Sequence, residues 1–300
     1  MKIEEKKLNG FNMKMVSING LIIGIATEVG PRILYLASEN KREENLFGIY
    51  PELGIETVEG FWRVYGGHRL WSAPEAKPRS YSMDDKPVRI EIEGECVTIY
   101  GNPERENSIR KEIVIKPFGN DGVQVIHRIQ NIGRWPIKLG CWGLSLMEGE
   151  GFVVIPIKPS KVDKEGLLPD RHITIWPYTD LGDERLKLTS DYIFVSKNSE
   201  VTKPLKIGTM ANPGWSAYVI GETAFIKEFS RIEGEYPDFN CNVEVYTNAN
   251  MLEFETLSPL MLLDPLAIIE HTETWKIIKT SSLKPEPTDI KDKLEALIVK

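Results

Sequence analysis

Cysteine is scarce in this chain. Cys96, Cys141 and Cys241 are odd in number and widely spaced, a pattern that gives no zinc or redox motif and fits a reducing compartment. Histidine is nearly as scarce, and His68, His127, His172 and His271 have no helical metal spacing. No apolar run is long enough to span a bilayer. The polar, charged start, Met1 to Gly10, is not a secretory signal. No basic run stands out, and a formal charge of −7 argues against nucleic acid or an anionic membrane as partner. A cytoplasmic placement is the simplest. No Gly-rich phosphate loop follows a strand and opens a helix, and Gly143-Leu144-Ser145 lacks the rest of a nucleophile elbow. His271 and Glu273 would share one strand face, which reads as a solvated edge strand. Neither a metal nor another cofactor is expected.

Helical periodicity is also missing until the last residues. With 41% hydrophobic residues among 300, there is material for one sizeable core. Met13 to Ser17 and Leu21 to Thr27 flank Asn19-Gly20, a dipeptide that supplies the positive φ angles of a tight hairpin. Arg32 to Ala37 is the next strand, and Leu46 to Gly60 reads as irregular. From Pro87 onward short strands alternate with turns. Val123, Val125, His127 and Ile129 share one strand face, so His127 reads as a satisfied core or groove-wall histidine. Pro159 to Arg171 reads as a long polar loop. Pro285 and Pro287 mark a linker, and Ile290, Leu294, Leu297 and Ile298 are spaced for one apolar helical stripe. No helices alternate with the strands, which argues against a parallel α/β sheet. The expected fold is all-β: one antiparallel sandwich of large sheets over residues 1–283, then a linker and short helix over 284–300.

One stretch departs from the strand-and-turn rhythm. Tyr65 to Glu75, continuing to Tyr81, holds His68, Arg69, Trp71, Glu75, Arg79 and Tyr81 between glycines and prolines. It has neither helical period nor clean alternation, so it reads as an irregular loop. Polar, charged and aromatic groups crowded in a loop suit a binding site, although a surface loop with Arg–Glu pairs and one buried Trp would read the same way. The inventory suits a sugar: planar rings for C–H faces, forked donors and carboxylates for hydroxyls. His68 can pass a proton near neutrality. Its partner would come from Glu253 or Glu255, which face out of the sheet if Leu252, Phe254 and Thr256 face the core. From the residues alone, both glutamates read more simply as ordinary solvent-facing strand charges.

Four segments together resemble the galactose-mutarotase-like superfamily, which includes aldose 1-epimerases and hexose-phosphate mutarotases. They are Val29-Gly30-Pro31-Arg32-Ile33 with Glu44-Asn45-Leu46-Phe47, Gly66-Gly67-His68-Arg69-Leu70-Trp71 with Pro74-Glu75, His127-Arg128-Ile129-Gln130-Asn131 with Pro136 to Leu139 and Trp142, and Leu252 to Pro259 with Glu270 to Trp275. The segment from Gly66 to Glu75 resembles the signature of a subgroup. The resemblance implies a β-supersandwich whose concave face binds a sugar or sugar phosphate. It implies anomer interconversion by a carboxylate base and a histidine acid, with Glu255 as base and Glu253 as its rival. Where the family places its histidine, this chain has Trp142, whose indole N–H can only donate a hydrogen bond. Either His68 supplies the acid from another segment, or the protein binds sugar without turning it over. A structural or interaction protein that reuses the fold is the third alternative. The expected site is His68 and Glu255 for catalysis, with Trp71, Trp176 and Trp215 as stacking rings and Arg69, Glu75, Arg79, Tyr81 and Arg171 as hydroxyl readers. Arg171, Arg185 and Lys206 could hold a phosphate.

Overall fold

The structure is a computed structural model that describes residues 1–160 and 163–298. Lys161 and Val162, inside the expected loop, and Val299 and Lys300 lie outside the described residues. The chain forms two large antiparallel sheets and a separate hairpin.

The first sheet begins with the meander Lys2–Leu8, Phe11–Ile18, Leu21–Ala26 and Arg32–Ser38. Asn19 and Gly20 turn the second strand into the third with φ of 47° and 76°, the left-handed backbone that a two-residue hairpin requires. The sheet continues through His68–Ala73, Ile137–Met147, Leu252–Leu257, Val243–Thr247, Leu205–Thr209 and Thr174–Ile175. The other sheet has Ile268–Lys279 near its middle, between Thr223–Phe229 and Gly122–Asn131.

The main core lies between the sheets. Leu70, Cys141, Met147, Phe254, Val243 and Val245 of the first sheet meet Val123, Val125, Ile129, Phe225 and Trp275 of the other. The outer face of that other sheet, with Phe152, Phe194, Trp215 and Ile226, is covered by Leu283, Ile290 and Leu294. The expected C-terminal helix is present over residues 287–298, its middle turn wound as a π-helix.

Three expectations fail at this level. Residues 46–60 are not irregular: Ile49–Thr57 and Gly60–Gly66 form a hairpin that lays Trp62 and Val64 against Trp71 and Trp142. Buried Arg32 ties it down, donating from Nη1 to the carbonyls of Val64 and Gly66 at 2.9 Å each. His68–Ala73 is not a loop but a strand paired with Ile137–Met147, and all six of its residues are buried. Ile268–Lys279 is not an edge strand, so His271 and Glu273 are buried between the sheets.

Candidate functional site

Strand alternation divides the expected site between two faces of one sheet. In the strand His68–Ala73, His68 and Leu70 point inward, while Arg69, Trp71 and Ala73 point outward. Pairing carries this across the sheet. Leu144 sits opposite both Arg69 and Glu255, and Ser145 sits opposite both His68 and Phe254. His68 and Glu255 therefore lie on opposite faces. The acid–base pair expected from the sequence does not line one hollow.

On the outer face, Trp71, Trp142, Trp176, Tyr81, Tyr178 and Tyr246 wall a hollow of about 370 Å³, with Leu144, Pro204, Glu75, Glu253 and Lys206 completing it. That volume lies toward the small end of the roughly 300–1,000 Å³ typical of ligand pockets. The Trp71 and Trp142 rings meet edge to face with centroids 5.4 Å apart. Arg69 lies between Trp62 and Trp71, 5.6 and 4.6 Å from their centroids, and its Nη2 donates to Glu253 at 2.8 Å. The Tyr81 hydroxyl donates to the Glu75 carboxylate at the rim.

Under the aromatic wall sits a buried charge triad. Lys206 Nζ is 2.7 Å from Glu244 and 3.0 Å from Glu255, and Trp142 Nε1 donates to the same Glu255 oxygen at 2.8 Å. The ammonium also lies 4.8 and 4.7 Å from the ring centroids of Trp142 and Trp176. Both glutamates are fully buried, and their Oε1 atoms have no hydrogen-bond partner. Burial, which Lys206 only partly offsets, raises the Glu244 carboxyl well above its usual range, and Glu255 adds to this. Glu255 is raised for the same leading reason, with Lys206 and the Trp142 N–H opposing. Burial works against the Lys206 charge, but the two carboxylates outweigh it and hold the ammonium charged. One lysine cannot neutralise two carboxylates, so the pair favours holding a proton.

On the inner face the histidines form a closed network. His127 Nδ1 lies 3.0 Å from the His271 carbonyl and so donates to it, which leaves His127 Nε2 to accept from His68 Nε2 at 2.6 Å. His68 Nδ1 then accepts from the Ser145 hydroxyl at 2.8 Å. Thr256 Oγ1 donates to Glu273, so at 2.8 Å it accepts from His271 Nε2. Lys227 at 3.1 Å and the Trp275 N–H complete the shell of Glu273. Gly143 lies beside this network, where an added Cβ would crowd it at 3.1 Å from Glu273 Oε1 and 3.3 Å from His127 Nε2. One ligand atom each of His68, His127 and Glu273 lies within 4.8 Å of the others, a spacing open to a metal ion. The hydrogen bonds already use those lone pairs, so the set is complete without one. Burial holds His68 and His127 below their usual range and His271 down to about 3. Burial alone would raise Glu273, but Lys227 and the imidazoles hold it well below the carboxylate range.

Of the expected binding residues, Trp71, Glu75, Tyr81 and Trp176 line the hollow and Arg69 backs it. Trp215 does not: it is a core residue under the C-terminal segment. Arg171 borders a different groove with His172, donating to the carbonyls of Ile157 and Ser190. Arg79 lies outside the lining and donates to the Pro74 carbonyl. Arg185 is held by Asp183 and is not part of the lining, although its charge reaches Tyr246. Sequence reasoning missed Glu244, Tyr178 and Tyr246. For two of them a signal existed: Glu244 and Tyr246 alternate with Val243, Val245 and Thr247 as Glu253 and Glu255 do with their apolar neighbours.

No family model and no curated protein matches the sequence. Solved structures do match the fold. A galactose mutarotase-like protein from Lactobacillus casei aligns with a TM-score of 0.61 at 9% identity, covering 89% of this chain and 100% of the other. A galactose mutarotase related enzyme from Lactobacillus acidophilus aligns with a TM-score of 0.53 at 10% identity, covering 91% and 99%. A TPR-domain containing protein from Parabacteroides distasonis aligns with a TM-score of 0.59 at 11% identity; 93% of this chain is covered, but only 50% of that protein. At such identities the likeness speaks for architecture alone. This chain has the β-sandwich fold of the galactose mutarotase-like proteins.

Proposed function

We propose that this protein binds a sugar in the hollow walled by Trp71, Trp142 and Trp176. One observation carries the reading: flat indole and phenol rings surround a small concavity whose polar groups are few and convergent. Rings offer apolar faces to the C–H side of a pyranose, while Glu75, Glu253 and Lys206 meet its hydroxyls. The fold shared with mutarotase-like proteins supports the same class of ligand.

The triad beneath the rings supports an additional reading, isomerase activity of the aldose 1-epimerase type. Anomer interconversion needs one group to take the C1 hydroxyl proton and another to protonate the ring oxygen. No histidine lines this hollow, so His68 is not its acid. Glu255, beside Glu244 and Lys206, is a carboxyl that burial raises above its usual range, which suits it to proton exchange. The binding reading comes first because Glu255 is fully buried beneath Trp142, and turnover requires the indole to move aside.

Titration calorimetry with a panel of aldoses tests sugar binding. Saturable binding that is lost in Trp71→Ala supports it; no binding across the panel, or undiminished binding in that variant, refutes it. Anomer exchange followed by NMR tests turnover. Exchange faster than buffer, abolished by Glu255→Gln, supports it, and an unchanged rate at high protein concentration leaves binding alone.

A further inference from the structure

We infer that the hollow selects a sugar carrying a protonated amine over neutral and phosphorylated sugars. The inference rests on the sugar-binding reading and adds the charge of the ligand. Among the described residues, Glu75, Glu244, Glu253 and Glu255 lie in and under the hollow with Lys206 and Arg69, while Arg185, held by Asp183, reaches Tyr246 from outside the lining. Both cations of the hollow are committed. Lys206 is shared by two carboxylates, and Arg69 is paired with Glu253 and sandwiched by indoles. Neither is left to receive a phosphate.

The carboxylates are less well served. Glu244 Oε1 and Glu255 Oε1 are buried without donors. Glu75, at the rim, has the Tyr81 hydroxyl but no cationic partner among the described residues. Glu253 is paired with Arg69 and the triad beneath holds a proton, so the unpaired negative charge at this mouth is that of Glu75, beside Tyr81 and within reach of Tyr178, where Lys206 opposes it. The surrounding rings add to it, because aromatic faces attract cations and more strongly when water is excluded. Lys206, seated between Trp142 and Trp176, shows that these rings accept an ammonium at close range. Another ammonium fits only away from Lys206, toward Glu75, Glu253 and Tyr178. Lys77 lies over Tyr81, 5.6 Å from its centroid, but is not part of the lining.

The test is titration calorimetry at pH 6 with glucosamine, N-acetylglucosamine, glucose and glucose 6-phosphate. Glucosamine is expected to bind about tenfold more tightly than its uncharged N-acetyl form, and glucose 6-phosphate more weakly than glucose. The preference should shrink in 0.5 M salt and in Glu75→Gln, an exposed position whose substitution leaves the core untouched. Equal affinity for the amine and glucose, or tighter binding of the phosphate, overturns the inference while leaving sugar binding intact. No binding by any of the four overturns both.

Discussion

Lowering the pH should weaken this fold well before its surface carboxylates titrate, because three imidazoles are held neutral between the sheets. His271 gives the magnitude. Its ordinary value is about 6.5, and burial beside His127 and Lys227 brings it down to about 3 although Glu273 opposes. Between those values the unfolded chain binds a proton that the folded chain refuses. Stability is therefore complete above about pH 6.5 and is lost as the pH falls toward 3. At pH 4 the difference is about 3 kcal/mol from His271 alone, against a total of roughly 5–15 kcal/mol for a folded domain. His68 and His127 shift in the same direction. Glu273, held low by Lys227, adds to the loss once its unfolded form begins to protonate, below about pH 4.5.

Urea unfolding measured from pH 7.5 to 4.5 reads this directly. The unfolding free energy should fall toward acid, with a slope that reports more than one proton taken up on unfolding. His271→Gln keeps an N–H near Thr256 but cannot titrate. It should be less stable at pH 7.5 and should have a slope shallower by up to about 1.4 kcal/mol per pH unit between about pH 6 and 4.5. A flat profile down to pH 4.5, or identical slopes in the two proteins, would show that the histidines are not held neutral and that their closed hydrogen-bond network is wrong.

The triad gives a prediction of opposite character. Lys206→Met leaves Glu244 and Glu255 facing each other without a cation and should cost about 3–5 kcal/mol at pH 7.5. Adding Glu244→Gln should return part of that loss in thermal unfolding; no recovery would mean that the pair does not share one charge. Trp215→Ala should destabilise by about 3–5 kcal/mol through the cavity it opens under Leu283 and Leu294, while calorimetry of the folded protein shows unchanged sugar affinity. Trp142→Phe keeps a ring but removes the N–H that Glu255 accepts and shrinks a buried wall of the hollow, so sugar affinity and melting temperature should both drop. Arg171→Ala, in a separate groove, should change neither.

Alternation along a strand is legible only when its two faces differ in polarity, and this explains what the sequence did and did not reveal. Leu252 to Leu257 reads correctly: Leu252 and Phe254 enter the core, and Glu253 and Glu255 turn to the other face. His68 to Ala73 does not. Its inward face presents His68 to a polar network and buries the Ser72 hydroxyl without a partner, and its outward face presents Arg69, Trp71 and Ala73 to the hairpin at residues 49–66. With both faces covered, the polar and apolar residues no longer sort, and a central strand resembles a loop. The same ambiguity separated His68 from Glu255. Neighbours in a strand point to opposite faces, so once Arg69 and Trp71 do not share His68's face, a one-residue assignment decides whether an imidazole lines the hollow or is sealed beneath it. His271 and Glu273 repeat the case: an acidic–polar alternation resembles a solvated strand until the opposing sheet supplies Thr256, and neighbouring strands supply Lys227 and His127, as partners. Those partners come from strands 15 to 144 residues away in the chain, and only the completed sandwich turns an expensive set of buried polar groups into a satisfied one. If the network holds the sheets in register, as its closure implies, the outer hollow inherits its geometry from it, since Ser145 and Leu144 are adjacent on one strand and face the two sites.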